Sequence, residues 1–385
     1  MSVVALQRLM SLDVFRGITI AGMILVNNPG SWAHMYAPLS HAAWHGWTPT
    51  DLVFPFFLFI VGVAIVFALS ATVEQSREGR QAAVRKALIR SAKIFGLGLF
   101  MAAYPFLDFD TMTISKSVTH IRIMGVLQRI ALCYLVASLL FLYLKPAMIY
   151  RVALVLLLGY WGLMMWVEVP GYGAGMIDSE FGNLASYVDR LILTEDHLWA
   201  GAKRQRDPEG LLSTLPAIVT AIIGIRAGLT MKNKEWTIEQ KTVRLFAEGC
   251  LLVIIGYVWD WFFPINKPIW TSSYAVFTGG QAMCGLALCY YFIDQRGYRR
   301  WAFPFQVYGV NAIIVFVLSG VLAKTFAIFQ VEHGMDKVSV NTLLYLFYSK
   351  FLSPNNASLA YALTWVSGWY LVLLWMFKRN IIIKV

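Results

Sequence analysis

His34, His41, His45, His120, His197 and His333 all lie in stretches between long apolar runs. Imidazole is the side chain best suited to moving protons near neutral pH. Three of the six share the first such stretch, NNPGSWAHMYAPLSHAAWHGWTPTDLVFPFF, which also carries Trp32, Trp44 and Trp47 and no Lys or Arg. Asp51 follows His41 by ten residues. A carboxylate beside an imidazole orients the ring and stabilises its protonated form, which is a general-base arrangement. Spacing alone does not establish contact, and each histidine taken singly also reads as an interfacial polar residue. Asp51 has a second reading. Thr48-Pro49-Thr50-Asp51 is a helix start, with Thr48 as N-cap, Pro49 at the first helical position and Asp51 at the third, a capping-box geometry whose acid suits the positive helix end. Capping and catalysis are compatible. Pro55 is expected to kink the helix that follows. The tryptophans can stack on a sugar ring, Trp44 above all, or form an aromatic belt at the membrane interface.

The elements that must position these residues are membrane spans. Of 385 residues, 58% are hydrophobic and only 14% charged, and the mean hydropathy is +0.62. Soluble domains run near a quarter charged. Apolar runs recur, each near the ~20 residues that cross ~30 Å of hydrocarbon. The expected fold is an all-α polytopic membrane helical bundle, a single domain over 1–385 with about ten transmembrane helices. The spans fall near 14–30, 51–73, 87–107, 122–144, 147–167, 211–231, 244–263, 271–293, 302–322 and 359–377. Met1 to Asp13 is too polar and too short for a signal peptide. Val340 to Leu352 reads as a short interfacial helix. Cys133, Cys250, Cys284 and Cys289 all fall inside spans without CxxC spacing, so packing is expected rather than a disulfide or a metal site.

Ten spans put both termini on one side. With the termini inside, 21 of the 32 Lys and Arg residues lie inside, from Arg8 through the cluster Arg77, Arg80, Arg85, Lys86, Arg90 and Lys93 to Lys378, Arg379 and Lys384. The positive-inside rule then predicts cytoplasmic termini. It places every histidine on the far side. The net charge of +11 is read as membrane anchoring with no nucleic-acid partner. A chain so divided can hold a phosphorylated compound among its cations and do chemistry on the opposite face.

Polar residues at membrane depth are expensive and face a cavity or a partner. Asn27 and Asn28 close the first span, Arg129 stands beside Gln128 in the fourth, and Asn311 lies in the ninth. Arg129 is either functional or paired with a buried carboxylate. Asp207 and Glu209, in RDPEG ahead of the sixth span, either bind a cation or cap that helix.

These segments occur together in one order: SLDVFRGITIAGMILVNN, HAAWHGWTPTDLVFPFFLFIVG, MGVLQRIALCY, YVDRLILTEDHLW with RDPEGLLSTLPAIVTAIIGIRAG, PINKPIWTSSY and FPFQVYGVNAI. In this the chain resembles the heparan-α-glucosaminide N-acetyltransferase family over nearly its whole length. The family consists of membrane enzymes that use cytosolic acetyl-CoA to acetylate a glucosamine on the far side. The resemblance implies catalytic roles for His41, Asp51 and Asn27. It departs from the animal lysosomal enzyme in a longer stretch between Asn27 and His41, in VLSGVLAK where a His-Glu pair stands there, and in lacking its large luminal extension. A bacterial-type member of the inner membrane is therefore expected, with a homodimer implied by the resemblance.

The implied mechanism joins both readings. The phosphates of acetyl-CoA dock at the cytoplasmic mouth, with Arg16, Arg129, Asn311, Lys378 and Arg379 as candidate contacts and no metal. His41 either deprotonates the amine or carries the acetyl group, Asn27 or Asn311 donates to the thioester oxyanion, and Trp44, Asp207 and Glu209 receive the amino sugar. Two alternatives stay open. An amino-sugar transporter would use broken helices and midplane polar groups, although no repeat between the halves is visible. An acyltransferase acting on a cell-wall or lipid-linked glycan would differ only in acceptor.

Overall fold

The structure is a computed structural model that describes residues 9–73, 77–108, 111–333 and 336–383. Arg8 and Lys384, counted above on the inside, lie outside the described residues, as does the side chain of His333. In chain order the elements are α1 (Met10–Asn27), α2 (Val53–Val73, entered through a tight turn at Pro49–Leu52), α3 (Arg77–Ala103), the hairpin β1 (Leu107–Asp108) and β2 (Thr113–Ile114), α4 (Lys116–Thr119), α5 (Val126–Tyr143), α6 (Pro146–Trp166), α7 (Leu184–Leu193), α8 (Thr214–Lys232), α9 (Ile238–Asp260), α10 (Ser272–Cys289), α11 (Phe303–Val310), α12 (Ala312–Ile328), the hairpin β3 (Gln330–His333) and β4 (Asp336–Ser339), α13 (Val340–Ser349) and α14 (Pro354–Lys378).

Among the described residues, eight helices are long and apolar enough to cross a membrane, and a ninth span results if α11 and α12 are one broken helix. Ten were expected. The difference is α3, which carries Arg77, Arg80, Arg85, Lys86, Arg90 and Lys93. Its helix runs ten residues upstream of the apolar stretch that hydropathy detects, so the charges and the span share one element. The expected ninth span is bent by 81° at Asn311. Pro55 lies in the first turn of α2, where a missing N–H leaves no bond unmade. The expected interfacial helix is α13.

The chain divides into two compact units. One contains Met1–His41, Thr48–Phe57 and Gly285–Val385. In it α1 and α11 touch backbone to backbone. A methyl group at Gly17 would stand 1.7 Å from the Phe305 carbonyl oxygen, and one at Gly309 would stand 1.9 Å from that of Asp13. Small residues at such crossings let helices approach without a hydrophobic driving force.

The other unit contains Ala42–Trp47 and Leu58–Cys284. Its most buried span is α8, and its most exposed is α9, which turns Leu251, Ile254, Ile255 and Val258 outward. Outward apolar side chains suit a lipid surrounding. α3 packs antiparallel to α5: the Ser91 hydroxyl donates to the Ala131 carbonyl at 2.8 Å, and the Arg90 guanidinium sits 5.0 Å from the centre of the Tyr134 ring. The long connection between α6 and α8 is pinned by an apolar cluster that includes Tyr160, Ile177, Leu184 and Phe263, with Trp44 packed against it.

Candidate active site

In the first unit, Thr48 has extended backbone and Pro49 begins the turn, as the capping motif requires. The Thr48 N–H donates to Asp51 Oδ2 at 3.0 Å. The Thr48 hydroxyl donates to the Ser40 carbonyl at 2.6 Å, and the Thr50 hydroxyl donates to that of Pro38 at 3.1 Å. Two threonines at the helix start thus staple the segment just before His41 onto it. The result is a contact of 2.6 Å between His41 Nδ1 and Asp51 Oδ1. The acid is 1% exposed and the imidazole 46% exposed. One oxygen of the Asp51 carboxylate caps the helix start and the other faces His41.

In the second unit, His45 has partners of its own. Its Nε2 lies 2.8 Å from Asp178 Oδ1, and its Nδ1 lies 3.3 Å from the side-chain amide of Asn266. Asp178 is 88% exposed and Asn266 is fully buried. Trp44 donates its indole N–H to the Ile177 carbonyl at 2.9 Å, and the Arg206 guanidinium lies 5.1 Å from the Trp44 ring centre. His120 and His197 tie loops together, with His120 3.5 Å from Asp196 and His197 bonded to the Ile121 carbonyl.

Asp207 and Glu209 do not stand open to a cationic ligand. Both are buried, and both face Arg122, which donates to Asp207 at 2.8 and 2.6 Å and also to Glu209. Two carboxylates taken out of water need a cation, and the guanidinium fork supplies one. Burial disfavours the charge on Arg122, but Asp207 and Glu209 together raise its pKa above the ordinary value. Nor do the two acids cap α8, whose N-cap is Ser213. A neighbouring acid, Asp189, accepts from the Leu211 N–H at 2.8 Å. Burial pushes its carboxyl up to about 7, opposed by that N–H and reinforced by Asp207.

Arg129 is fully buried. Among the described residues it pairs with no carboxylate. It donates to the Gly210 carbonyl at 3.0 Å and to the Ser213 hydroxyl, and it lies 5.1 Å from the centre of the Trp270 ring.

Residues 8–256 match the family model described as heparan-alpha-glucosaminide N-acetyltransferase, catalytic. The chain belongs to this family. It is 30% identical over 356 residues to the human protein named heparan-alpha-glucosaminide N-acetyltransferase, with 80% of this chain and 52% of that one covered. It is 28% identical over 366 residues to the mouse protein of the same name, covering 83% and 54%. The chain therefore spans about half the length of these curated relatives.

Within the family match, Asn27 is the exposed last residue of α1. It is its neighbour Asn28 that is buried, bonded to the Ile24 carbonyl at 2.8 Å. Four of the five residues expected near the acyl donor come together at one end of the first unit. Arg16 pairs with Asp13 at 3.0 Å and donates to the Gly309 carbonyl at 3.2 Å. Asn311, at the bend, donates to the Ile381 carbonyl and accepts from the Ile383 N–H, each at 3.0 Å. Lys378 and Arg379 are exposed at the end of α14, just before that bonded tail. Arg129, in α5, belongs to the other unit. Sequence reasoning passed over Arg122, Asp178, Asp189 and Asn266. Asp189 and Asn266 carried a signal, since YVDRLILTEDHLW and PINKPIWTSSY were among the shared segments.

Proposed function

We propose that the chain transfers the acetyl group of acetyl-CoA to the amino group of a glucosamine-type sugar, with His41 as the base. The observation that carries this reading is the His41–Asp51 contact of 2.6 Å in a member of an N-acetyltransferase family. With Asp51 as a carboxylate its oxygens only accept, so Nδ1 of His41 bears the hydrogen and Nε2 presents the lone pair. Nε2 takes a proton from the sugar amine as nitrogen bonds to the thioester carbon. The carbon–sulfur bond then breaks, and the proton passes to the departing thiolate. Asp51 holds the ring and stabilises the imidazolium between these events. The same lone pair can attack the thioester itself, in which case the acetyl group rests on His41 before the amine removes it.

The proposed orientation has cytoplasmic termini in a bacterial inner membrane, with the donor arriving among inside cations and the acceptor on the far side. Arg16, Lys378 and Arg379 suit the phosphates of the donor by charge. The broken α11–α12 pair is a feature that transporters also use, so the test must separate the two classes. Purified protein in detergent is offered acetyl-CoA and a panel of amino sugars, with products read by mass spectrometry. The reading expects an N-acetylated sugar and stoichiometric free CoA. Amino-sugar uptake into sealed vesicles without an acyl donor, and no product in detergent, would overturn it.

A further inference from the structure

The antiparallel packing of α3 on α5 brings the first turn of α3 to the last residue of α5. There Arg77, Arg80, Gln81 and Tyr143 line a cavity of about 490 Å³, within the ~300–1,000 Å³ range of small-molecule sites. All four side chains donate hydrogen bonds, and among the described residues no carboxylate lines the space. Arg80 is held in place by a 2.9 Å bond from Nη2 to the Val73 carbonyl, and its buried Nε meets no acceptor among the described residues. Arg77 and Arg80 stand three apart on one helix face, so their guanidinium groups converge. The start of a 27-residue helix adds a positive end of its own. Glu78, in the same turn, is exposed and does not line the cavity.

We infer that this cavity binds a phosphate group, carried by the nucleotide end of an acyl donor or by an anionic lipid headgroup. Guanidinium pairs match phosphate oxygens in geometry as well as charge, and Gln81 and Tyr143 supply neutral donors for the remaining oxygens. The nucleotide source rests on the acetyl-CoA reading above, and the lipid source does not.

The test uses the full chain in nanodiscs. In discs of phosphatidylcholine alone, adenosine 3′,5′-bisphosphate is titrated by calorimetry. In discs doped with phosphatidylglycerol, retained anionic lipid is counted by native mass spectrometry. The wild type should show saturable binding in at least one arm, and which arm responds identifies the source. Arg77→Gln with Arg80→Gln should weaken that binding roughly tenfold or more, as expected for lost charge-assisted hydrogen bonds. Because Arg80 also anchors Val73, Arg77→Gln alone is the safeguard against a folding defect, and it should weaken binding in the same arm. Wild-type binding in neither arm, or binding unchanged by both folded variants, would overturn the site. Acetyl transfer is scored separately. Arginine-dependent phosphate binding without transfer sinks the enzyme reading and leaves the site, whereas transfer without such binding does the reverse.

Discussion

The side-chain amide of Asn266 lies 3.3 Å from Nδ1 of His45, and this contact fixes where the His45 proton sits. The Asn266 carbonyl oxygen accepts from the Ile269 N–H at 3.0 Å, so its nitrogen is the end that faces the ring. An amide nitrogen only donates, so Nδ1 of His45 accepts and Nε2 carries the hydrogen towards Asp178. His41 is held the other way, with Nδ1 donating to Asp51. Two histidines four residues apart therefore present opposite tautomers, with the hydrogen on Nε2 in His45 and on Nδ1 in His41.

His41→Ala should accordingly lower acetyl transfer by on the order of 10²–10⁴-fold, the usual contribution of a general base. His45→Ala should cost far less, because its Nε2 hydrogen is already given to Asp178. Release of free CoA, measured on variants whose thermal midpoints match the wild type, separates the two. Near-normal turnover by the His41 variant excludes both routes drawn from its lone pair.

Asp51 serves two partners, so its substitutions should separate them. Asp51→Asn keeps the shape but gives up a carboxylate to an imidazolium, and the rate should fall by roughly 10²–10⁴-fold. Asp51→Ala should in addition lose about 1 kcal/mol of stability as the cap at Thr48 goes. Equal melting of the two variants would show that the cap contributes nothing.

Arg122→Gln should be strongly destabilising, by roughly 3–5 kcal/mol, because two buried carboxylates are left without a full counter-charge. Adding Asp207→Asn and Glu209→Gln to that variant should recover part of the loss. A thermal melt of the single and triple variants decides it. A mild single variant would mean that the acids are not held by this arginine.

Asp189 gives a pH dependence with a definite sign. Its folded pKa of about 7 lies above the ~3.9 of an unfolded aspartate. Between those values the folded chain holds more protons than the unfolded one, so stability is greatest below about pH 4 and falls as pH rises to about 7. For this one group the full change is roughly 4 kcal/mol at most. Asp189→Asn should flatten that part of the curve. An unchanged slope in melting temperature between pH 5 and 7 would count against the assignment.

The orientation is tested with single cysteines in a cysteine-free background. Exposed Ala33 and Glu195 are suitable sites. Ala33→Cys and Glu195→Cys should react with an impermeant thiol reagent on intact cells. Glu78→Cys should react only after the membrane is opened. Labelling of the last variant in sealed cells would reverse the proposed sidedness.

Local chemistry was legible in the chain and distant pairing was not. Thr48, Pro49 and Asp51 announce a capped helix start, and His41 is close enough in sequence for that cap to capture it. Hydropathy found the apolar spans because each is a continuous run, but it placed the start of α3 at residue 87, in the midst of its charges, where the helix begins at Arg77. The partner of Asp207 and Glu209 was invisible. Arg122 lies 85 and 87 residues away, and nothing local marks an arginine as the counter-charge of a distant pair. Asn266 and Asp178 are similarly remote from His45. Of the adjacent Asn27 and Asn28, the sequence does not say which is buried: Asn28, at the non-helical C-cap, is, and Asn27 is exposed.

The surroundings of Arg129 bear on how the chain is made. Its hydrogen-bond partners, Gly210 and Ser213, lie 81 and 84 residues downstream. At about 5–20 residues per second, synthesis leaves α5 with an unsatisfied guanidinium for roughly 4–16 s. Arg129 is the fourth residue of α5, so inserting it costs less than the ~2.5–3.5 kcal/mol of an arginine at the centre of a span. α5 is thus a helix that membrane insertion accepts in advance of the contacts that justify it. During that interval the nascent chain depends on the insertion machinery, or on a position at the bilayer edge, until α8 emerges.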